Sequence, residues 1–276
     1  MPYICPICHS SLSLADSSKS YQCENNHHFD IAKEAYLNLL PAQHKKSKEP
    51  GDSKEMMRAR RDFLEAGFYQ PLAKAITQIT EDYHPINTKL KLLDMGCGEG
   101  YYSRQIMALH KTPDDIELHG IDIAKNAIIA AAKKQKEAHF IVASSNNMPY
   151  SDAYFDLILR VYAPSNEQEV TRLLKQQGLL LIVTPGPRHL WQLREFIYTE
   201  VKDHNTDIGI PSGFEVIHRE NLSYQITPNP IQRLALLQMT PFAWRANNET
   251  LQQIQAADNL AIETDFMITL AKKAAQ

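Results

Sequence analysis

The chain has 276 residues, of which 43% are hydrophobic and 22% are charged, and its formal net charge is −3 at pH 7. These values are typical of a globular protein whose core is large enough to fold without disulfides, and they exclude a bulk nucleic-acid coat protein. Because no apolar run reaches the roughly 18 residues of a membrane span and no apolar secretory segment opens the chain, we expect a cytoplasmic protein without a membrane partner.

The N-terminal module, predicted over residues 1–35, holds three of the four cysteines. Cys5 and Cys8 are separated by two residues, so a tight turn can direct both thiolates at one ion, and Cys23 follows after an ordinary gap. With His27 as the fourth donor, the set is of the tetrahedral type that zinc prefers. Because protein fills all four positions, we predict one structural zinc.

The fourth zinc ligand is open on spacing alone. His27 is favoured, His28 competes with it, and His9 is a weaker candidate because it directly follows a cysteine. The cysteines have two other interpretations, namely free or disulfide-linked thiols and a redox pair. A cytoplasmic setting argues against disulfides, and a redox pair normally follows a strand of a thioredoxin-like unit.

A basic linker and helix are predicted over residues 36–68. Between His44 and Arg61, seven basic residues against three acidic ones leave a charge of +4. A phosphate backbone would favour this patch, although charge alone favours a solvated linker and the outer face of a helix. We predict the helix over 54–64, with Ser53 as its N-cap. The candidate phosphate contacts are Lys45, Lys46, Lys48, Arg60 and Arg61.

The rest of the chain, residues 69–276, is predicted as a second domain. A helix over 69–79 precedes an alternation of apolar strands and helices, which indicates an α/β fold with a doubly wound, mostly parallel sheet. The segment from 208 onward is less regular, with closing antiparallel strands over 222–226 and 261–270 and a helix over 231–239. The alternating strands are 89–95, 117–122, 139–143, 155–161 and 179–184, and the helices are 101–109, 125–137, 167–175 and 189–201.

A glycine loop follows the first of these strands. Gly96, Gly98 and Gly100 come directly after Asp94 and open a helix, so the backbone can turn sharply and approach a ligand. Asp122 ends the next strand, where a carboxylate can accept both hydroxyls of a ribose. The early acid and the glycine spacing favour S-adenosylmethionine as the cofactor over NAD, with Asp94 holding the loop or meeting the ammonium group.

Other polar residues are expected at the same edge of the sheet. Ser145 lies in a polar loop after the third strand and would flank an adenine, unless the loop is an ordinary connection. Tyr102 and Ser103 begin the helix after the glycines and are directed toward the same pocket.

The fourth strand supplies the candidate substrate residues. Tyr162 is a candidate to stack on a base, and Arg160 to bind a carbonyl oxygen or a phosphate; packing of Tyr162 in the core is an equally good interpretation. We assign no catalytic base. Phe242 and Trp244 are expected to pack in the core.

Several further motifs resemble those of the 23S rRNA guanine-N1 methyltransferases. The resemblance runs over nearly the whole chain and is weakest around 202–229. The motifs are Cys-Pro-Ile-Cys-His at 5–9, Phe-Asp-Ile-Ala-Lys-Glu at 29–34, Tyr-Leu-Asn-Leu-Leu-Pro at 36–41, Pro-Gly-Asp-Ser at 50–53, Arg-Ala-Arg-Arg at 58–61, Gly-Cys-Gly-Glu-Gly-Tyr-Tyr at 96–102, Thr-Pro-Gly-Pro-Arg-His at 184–189 and Met-Thr-Pro-Phe-Ala-Trp-Arg at 239–245.

The resemblance implies a class I S-adenosylmethionine-dependent methyltransferase fold behind a zinc ribbon. It implies methylation of N1 of a guanine in a hairpin loop of 23S rRNA by a homodimer whose zinc modules contribute to an RNA-binding cleft. It places the zinc ligands at Cys5, Cys8, Cys23 and His27. The cofactor contacts that it implies are Tyr69, Tyr102, Ser103 and His189.

Two other functions remain open on the sequence. One is a methyltransferase of the same fold that acts on a small molecule such as a quinone or a lipid. The other is a zinc-dependent nucleic-acid-binding regulator with an inactive cofactor domain. A basic linker joined to a zinc module argues against the first, and the intact glycine loop argues against the second.

Overall fold

The computed structural model describes residues 2–16, 19–41, 43, 51–84, 88–108, 115–207 and 209–275. The candidate RNA contacts Lys45, Lys46 and Lys48 lie outside these residues. No helix in the described ranges is both long enough and apolar enough to cross a bilayer.

The predicted mostly parallel α/β sheet is confirmed. Its central strand, Leu90–Met95, is buried on both faces, which is why it reads as an almost continuous apolar run. Alternate side chains enter different cores, with Leu92 on one face and Leu93 on the other. Within the described residues the strands are β1 Ser13–Leu14, β2 Ser20–Gln22, β3 His28–Asp30, β4 Leu37–Asn38, β5 Leu90–Met95, β6 Ile116–Asp122, β7 His139–Val142, β8 Phe155–Val161, β9 Leu174–Pro185, β10 Phe214–Ile226 and β11 Ile262–Lys273.

The main sheet has the strand order β10-β11-β9-β8-β5-β6-β7-β4. Strands β4 to β9 run parallel, and β11 pairs antiparallel with both β9 and β10. The chain leaves β5 toward β6 on one side and returns to β8 on the other. The crevice outside the carboxyl ends of β5 and β8 is therefore the place where open α/β sheets bind ligands.

Helices cover both faces of this sheet. The first begins where the sequence predicts, since the hydroxyl of Ser53 accepts a hydrogen bond from the Met56 amide at 3.2 Å. Phe63 and Ile76 carry the apolar sides of the first two helices into the core. The described helices are α1 Lys54–Glu65, α2 Gln70–Tyr83, α3 Tyr101–Met107, α4 Lys125–Lys134, α5 Glu167–Leu173, α6 Trp191–Glu195, α7 Pro230–Gln238 and α8 Asn248–Ala256, with a 3₁₀ helix at Ala243–Arg245.

The N-terminal module packs directly on the main sheet. The Ile4 amide donates to the Pro149 carbonyl at 3.1 Å, and the Ser151 amide donates to the Pro2 carbonyl at 2.8 Å. The ring of Tyr3 is buried, with its centroid 5.5 Å from that of Tyr150. The module therefore shares one hydrophobic core with one face of the sheet.

Some predicted element bounds are wrong. The helix predicted over 189–201 is only Trp191–Glu195, because Leu190 adopts a left-handed φ of 56° and the chain becomes irregular after 195. The helix predicted to reach 175 ends at Leu173, since its backbone passes directly into β9. The strand predicted over 222–226 begins at Phe214, where the long partner β11 extends the pairing.

Two elements are absent from the sequence prediction. The two-residue strand β4 lies in the predicted linker, and Leu37 pairs with Ile141 of β7. Helix α8 lies in a polar stretch that buries one residue, Ile254. The domain bounds 1–35, 36–68 and 69–276 stay predictions.

Candidate active site and metal centre

Four side chains of the N-terminal module converge on one point. The Sγ atoms of Cys8 and Cys23 are 3.6 Å apart, and Nδ1 of His27 lies 3.5 Å from Cys5 Sγ and 3.4 Å from Cys23 Sγ. All four donor atoms lie within 4.8 Å of one another. In a tetrahedral zinc site the S–S and S–N separations are about 3.8 and about 3.6 Å. The cluster therefore has the size of a single tetrahedral metal site.

The structure separates the competing histidines. His28 is exposed in β3, and His9 is exposed with a left-handed φ of 62°. Neither belongs to the donor cluster that the described residues form. Hydrogen bonds lower the pKa of Cys8 to about 5, the largest contribution coming from the Ser10 hydroxyl 2.9 Å from Cys8 Sγ and the next from Asn25, and this favours the thiolate that a metal binds. The described cysteines are free of disulfides.

The glycine loop turns at the carboxyl end of β5. Gly96 has φ 72°, and a Cβ there would lie 2.5 Å from the Cβ of Ala163, so a side chain has no room. Gly98 has φ 54°, and a Cβ there would meet no atom within 4 Å. The space over Gly98 is therefore open to a ligand.

Asp122 fastens this loop to the end of β6. One carboxylate oxygen accepts the Gly98 amide at 2.9 Å, and the other accepts the Ala124 amide at 2.8 Å. Each oxygen keeps a second lone pair for a further donor. Asp122 thus positions the loop and can also receive the hydroxyls of a ribose.

Asp94 is buried beneath the loop. Burial raises the pKa of its carboxyl to about 7, and the neighbouring Asp122 carboxylate adds to the rise. The fully buried hydroxyl of Ser103 acts in the opposite direction, because a hydrogen bond from it to the Asp94 carboxyl lowers this pKa. A cation such as an ammonium group would restore the charged form of Asp94.

A cavity of about 670 Å³ opens at the switch point of the sheet. Its walls include predicted cofactor residues from distant segments. Ser103 is buried behind this lining. The predicted residues that line the cavity are Tyr69, Asp94, Gly96, Gly98, Tyr102, Asp122, Ser145 and His189.

His189 is held as a neutral imidazole at the end of this cavity. The amide of Asp265 donates to its Nδ1 at 3.2 Å, so Nε2 carries the proton. Burial lowers the pKa of His189 to about 3. The hydroxyl oxygens of Tyr69 and Tyr162 each lie 3.5 Å from Nε2. His189 therefore faces the cavity with an N–H and has no free lone pair there.

Tyr162 is not a core residue. Its side chain is 43% exposed and lines the cavity, and its backbone has a left-handed φ of 55°. Arg160, by contrast, is buried, lies outside the cavity lining and donates to the hydroxyl of Ser165. Positions 160 and 162 would share a face in a regular strand, but β8 ends at Val161 and the left-handed backbone of Tyr162 breaks the alternation, so the two side chains project differently.

The two predicted RNA contacts on α1 face the cofactor cavity. Arg60 forms an ion pair with Asp52, and Arg61 binds both carboxylate oxygens of Glu99. The outward position in this turn is that of Arg58, whose side chain is 81% exposed. Helical spacing thus places Arg60 and Arg61 beside carboxylates of the cavity, which the charge count does not show.

The donor set fits S-adenosylmethionine. Asp122 matches a ribose, Asp94 matches an ammonium group, and the apolar side chain of Ile123 with the polar Ser145 matches an adenine. The glycine loop leaves open space over Gly98 for the cofactor backbone.

Sequence reasoning missed two parts of the site. The segment Met239 to Phe242 lines the cavity, although only its motif in the resemblance pointed to it. Asp265 has no sequence signal, yet its carboxylate accepts the Arg188 amide at 2.8 Å and its own amide orients His189. The expectation that Trp244 packs in the core is wrong, because its side chain is 76% exposed.

Comparisons with known proteins cover both parts of the chain. The family described as RlmA, N-terminal, a zinc ribbon, matches residues 3–48, and the family described as methyltransferase domain matches residues 86–255. The Bacillus subtilis (strain 168) protein YxjB, provisionally named as a 23S rRNA (guanine-N1)-methyltransferase, is 31% identical over 96% of this chain and 95% of its own. The 23S rRNA (guanine(748)-N1)-methyltransferase of Streptomyces fradiae is 28% identical over 90% of this chain and 87% of its own.

Among solved structures, the crystal structure of MccD protein is 20% identical, with a TM-score of 0.49 over 74% of this chain and 98% of its own. The methyltransferase-domain family alone spans more than half of the chain. The full-length relative extends the likeness through the zinc ribbon. The chain therefore belongs to the family of 23S rRNA (guanine-N1)-methyltransferases.

Proposed function

We propose that this protein transfers the methyl group of S-adenosylmethionine to N1 of an unpaired guanine in a hairpin loop of 23S rRNA. The observation that supports this most strongly is the combination of the zinc-ribbon cluster and the open cavity in one chain that is similar over nearly its whole length to a relative named as a 23S rRNA (guanine-N1)-methyltransferase. Small-molecule methyltransferases of this fold match only part of the chain, such as a malonyl-[acyl-carrier protein] O-methyltransferase of Halorhodospira halophila over 52%.

The cofactor is assigned to the cavity between β5, β6 and β8. Asp122 and the Gly98 backbone would hold the ribose side, and Asp94 would meet the ammonium group. Tyr69 and Tyr102 would close the cavity over the methionine part. When bound, S-adenosylmethionine supplies a methyl group whose bond to the sulfonium sulfur breaks as its bond to guanine N1 forms.

We assign the contact with the target base to Tyr162. N1 lies on the Watson–Crick edge, which a paired guanine hides, so the base must be unpaired or turned out of its stack. Tyr162 presents a half-exposed ring at the cavity mouth, where it can stack on such a base. Its left-handed backbone turns the ring out of the strand toward the mouth.

The N1 proton must leave as the new bond forms. His189 does not take it, because its Nδ1 lone pair is bonded to a backbone amide and its Nε2 carries a proton. Its low pKa keeps it neutral, so no second cation is placed near the sulfonium. We infer that His189 orients the hydroxyls of Tyr69 and Tyr162 and that the N1 proton passes to water.

The N-terminal module is assigned as a structural zinc site that grips RNA beside the cavity. Cys5, Cys8, Cys23 and His27 would hold one zinc. Lys45, Lys46, Lys48, Arg60 and Arg61 stay predicted phosphate contacts, and a phosphate would have to displace the carboxylates that now pair with the two arginines. A homodimer and a cytoplasmic location also stay predictions.

The decisive experiment is transfer of labelled methyl to total rRNA that lacks the modification, followed by nucleoside analysis. We expect 1-methylguanosine in the 23S fraction and none when Tyr162 and Asp122 are both replaced by alanine. Label in a small metabolite, with unaltered rRNA guanines, would contradict the proposal. Retention of the protein on immobilised adenosylhomocysteine, without transfer to any substrate, would instead indicate an inactive binding protein.

A further inference from the structure

The exposed indole of Trp244 is unusual for so large an apolar side chain. It is 76% exposed and lies in the 3₁₀ helix Ala243–Arg245. The preceding residues Met239 to Phe242 line the cofactor cavity. Backbone hydrogen bonds from Ala243 to Thr240 and from Arg245 to Phe242 fix this turn against the cavity wall. Trp244 therefore lies two residues beyond a segment of the cavity wall, on a turn that is hydrogen-bonded to that segment.

Arg245 is pre-ordered between two aromatic rings. Its guanidinium carbon lies 4.9 Å from the ring centroid of Trp244 and 5.2 Å from that of Tyr198. The ring of Tyr198 in turn lies 6.1 Å from that of Phe242, a cavity-lining residue. Among the described residues no carboxylate lies within ion-pairing distance of Arg245. The cation is therefore oriented by the rings while its charge stays uncompensated.

The other tryptophan of the chain, Trp191, also stacks with an arginine, but both residues of that pair have carboxylate partners. The Trp191 indole donates to Glu195 at 2.9 Å, and Arg188, which stacks on it at 4.4 Å, is paired with Glu263 at 3.0 Å. The Trp244 indole N–H has no hydrogen-bond partner among the described residues, and the Arg245 guanidinium contacts two aromatic rings but no carboxylate there. Both are pairs of a tryptophan ring and a stacked guanidinium. Only in the pair of Trp191 and Arg188 are the indole N–H and the positive charge both bound by carboxylates of the protein.

We propose that Trp244 and Arg245 form a stacking platform for a nucleotide that flanks the target guanine. A single-stranded RNA loop offers unstacked bases next to phosphates, which is the combination that an exposed aromatic ring beside a free guanidinium recognises. The platform rests on the proposed RNA substrate and adds a contact outside the cofactor cavity. It holds the flanking base so that the target guanine can enter the cavity mouth.

The platform predicts separate effects for its two residues. In the full-length protein, Trp244→Ala should weaken binding of an unmodified 23S rRNA fragment that contains the target guanine about ten-fold, since one base–aromatic stack is lost. Trp244→Phe should retain most of the affinity because the ring remains. Arg245→Gln should reduce the slope of log affinity against log salt by about 0.7, as expected for one phosphate contact on a single strand.

A matched control is available on the same domain. Ile231 is also 76% exposed but lies on α7 away from the cavity lining, and Ile231→Ala should keep RNA affinity within about two-fold of the wild type. Adenosylhomocysteine affinity by calorimetry should be unchanged in Trp244→Ala, which separates a platform defect from misfolding.

Wild-type methylation with unchanged RNA affinity in Trp244→Ala would overturn the platform and leave the proposed function standing. A change in sedimentation of Trp244→Ala from dimer to monomer would identify the patch as a subunit contact and also overturn the platform. A wild-type protein that modifies no rRNA guanine would overturn both proposals.

Discussion

Asp122 offers the sharpest test of the cofactor site. Its carboxylate accepts the Gly98 amide at 2.9 Å and the Ala124 amide at 2.8 Å, and we assign its remaining lone pairs to the ribose. Two hydrogen bonds to a charged acceptor contribute about 3 kcal/mol together at the lower end of their range. Asp122→Ala should therefore weaken adenosylhomocysteine binding about 100-fold. Asp122→Asn, which keeps one acceptor oxygen, should weaken it about ten-fold.

The assay is titration calorimetry with adenosylhomocysteine on the full chain. Asp156 supplies a matched control, because its carboxylate also accepts a strand-end amide, that of Lys91 at 2.9 Å, together with the Lys175 ammonium at 2.6 Å. It lies at the opposite edge of the sheet, so Asp156→Ala should lower thermal stability without changing cofactor affinity. A dissociation constant for Asp122→Ala within two-fold of the wild type would refute the assigned role of this carboxylate.

Three further outcomes are expected. Cys8→Ser should abolish zinc in metal analysis and lower the melting temperature, because the module shares its core with the sheet, while cofactor affinity by calorimetry stays within two-fold; a full zinc complement would contradict the cluster. Tyr162→Ala should reduce kcat/KM for rRNA roughly ten-fold or more and Tyr162→Phe should not, whereas equal loss in both would show that the hydroxyl, not the ring, matters. Burial lowers the pKa of His119 to about 4 in the folded protein, whereas in the unfolded chain its pKa is about 6.5. As the pH falls from about 6.5 to about 4, the unfolded chain therefore binds a proton that the folded protein does not, and the free energy of unfolding should decrease. His119→Gln, which keeps an N–H toward Glu117 without titrating, should flatten this fall by up to about 3 kcal/mol in denaturant unfolding, and an unchanged pH profile would count against it.

The sequence alone determined the parts of this protein that depend on neighbours along the chain. Cys5 and Cys8 lie in one turn, so residue type and spacing suffice to predict a metal module. The segment Gly96 to Gly100 connects a buried strand to a helix, so its glycines suffice to predict a cofactor loop. The alternation of apolar strands with helices likewise predicts the parallel sheet, because a strand buried on both faces must be apolar throughout.

Only the tertiary structure decided how distant segments meet. The tautomer of His189 depends on the amide of Asp265, 76 positions away, and Arg61 is neutralised by Glu99, 38 positions away. Trp244 has a large apolar side chain of the kind expected in a core, yet the turn that follows the cavity wall leaves it exposed to solvent. Such outcomes follow from packing between elements, and local spacing does not show which distant residues a given side of a turn or helix will meet.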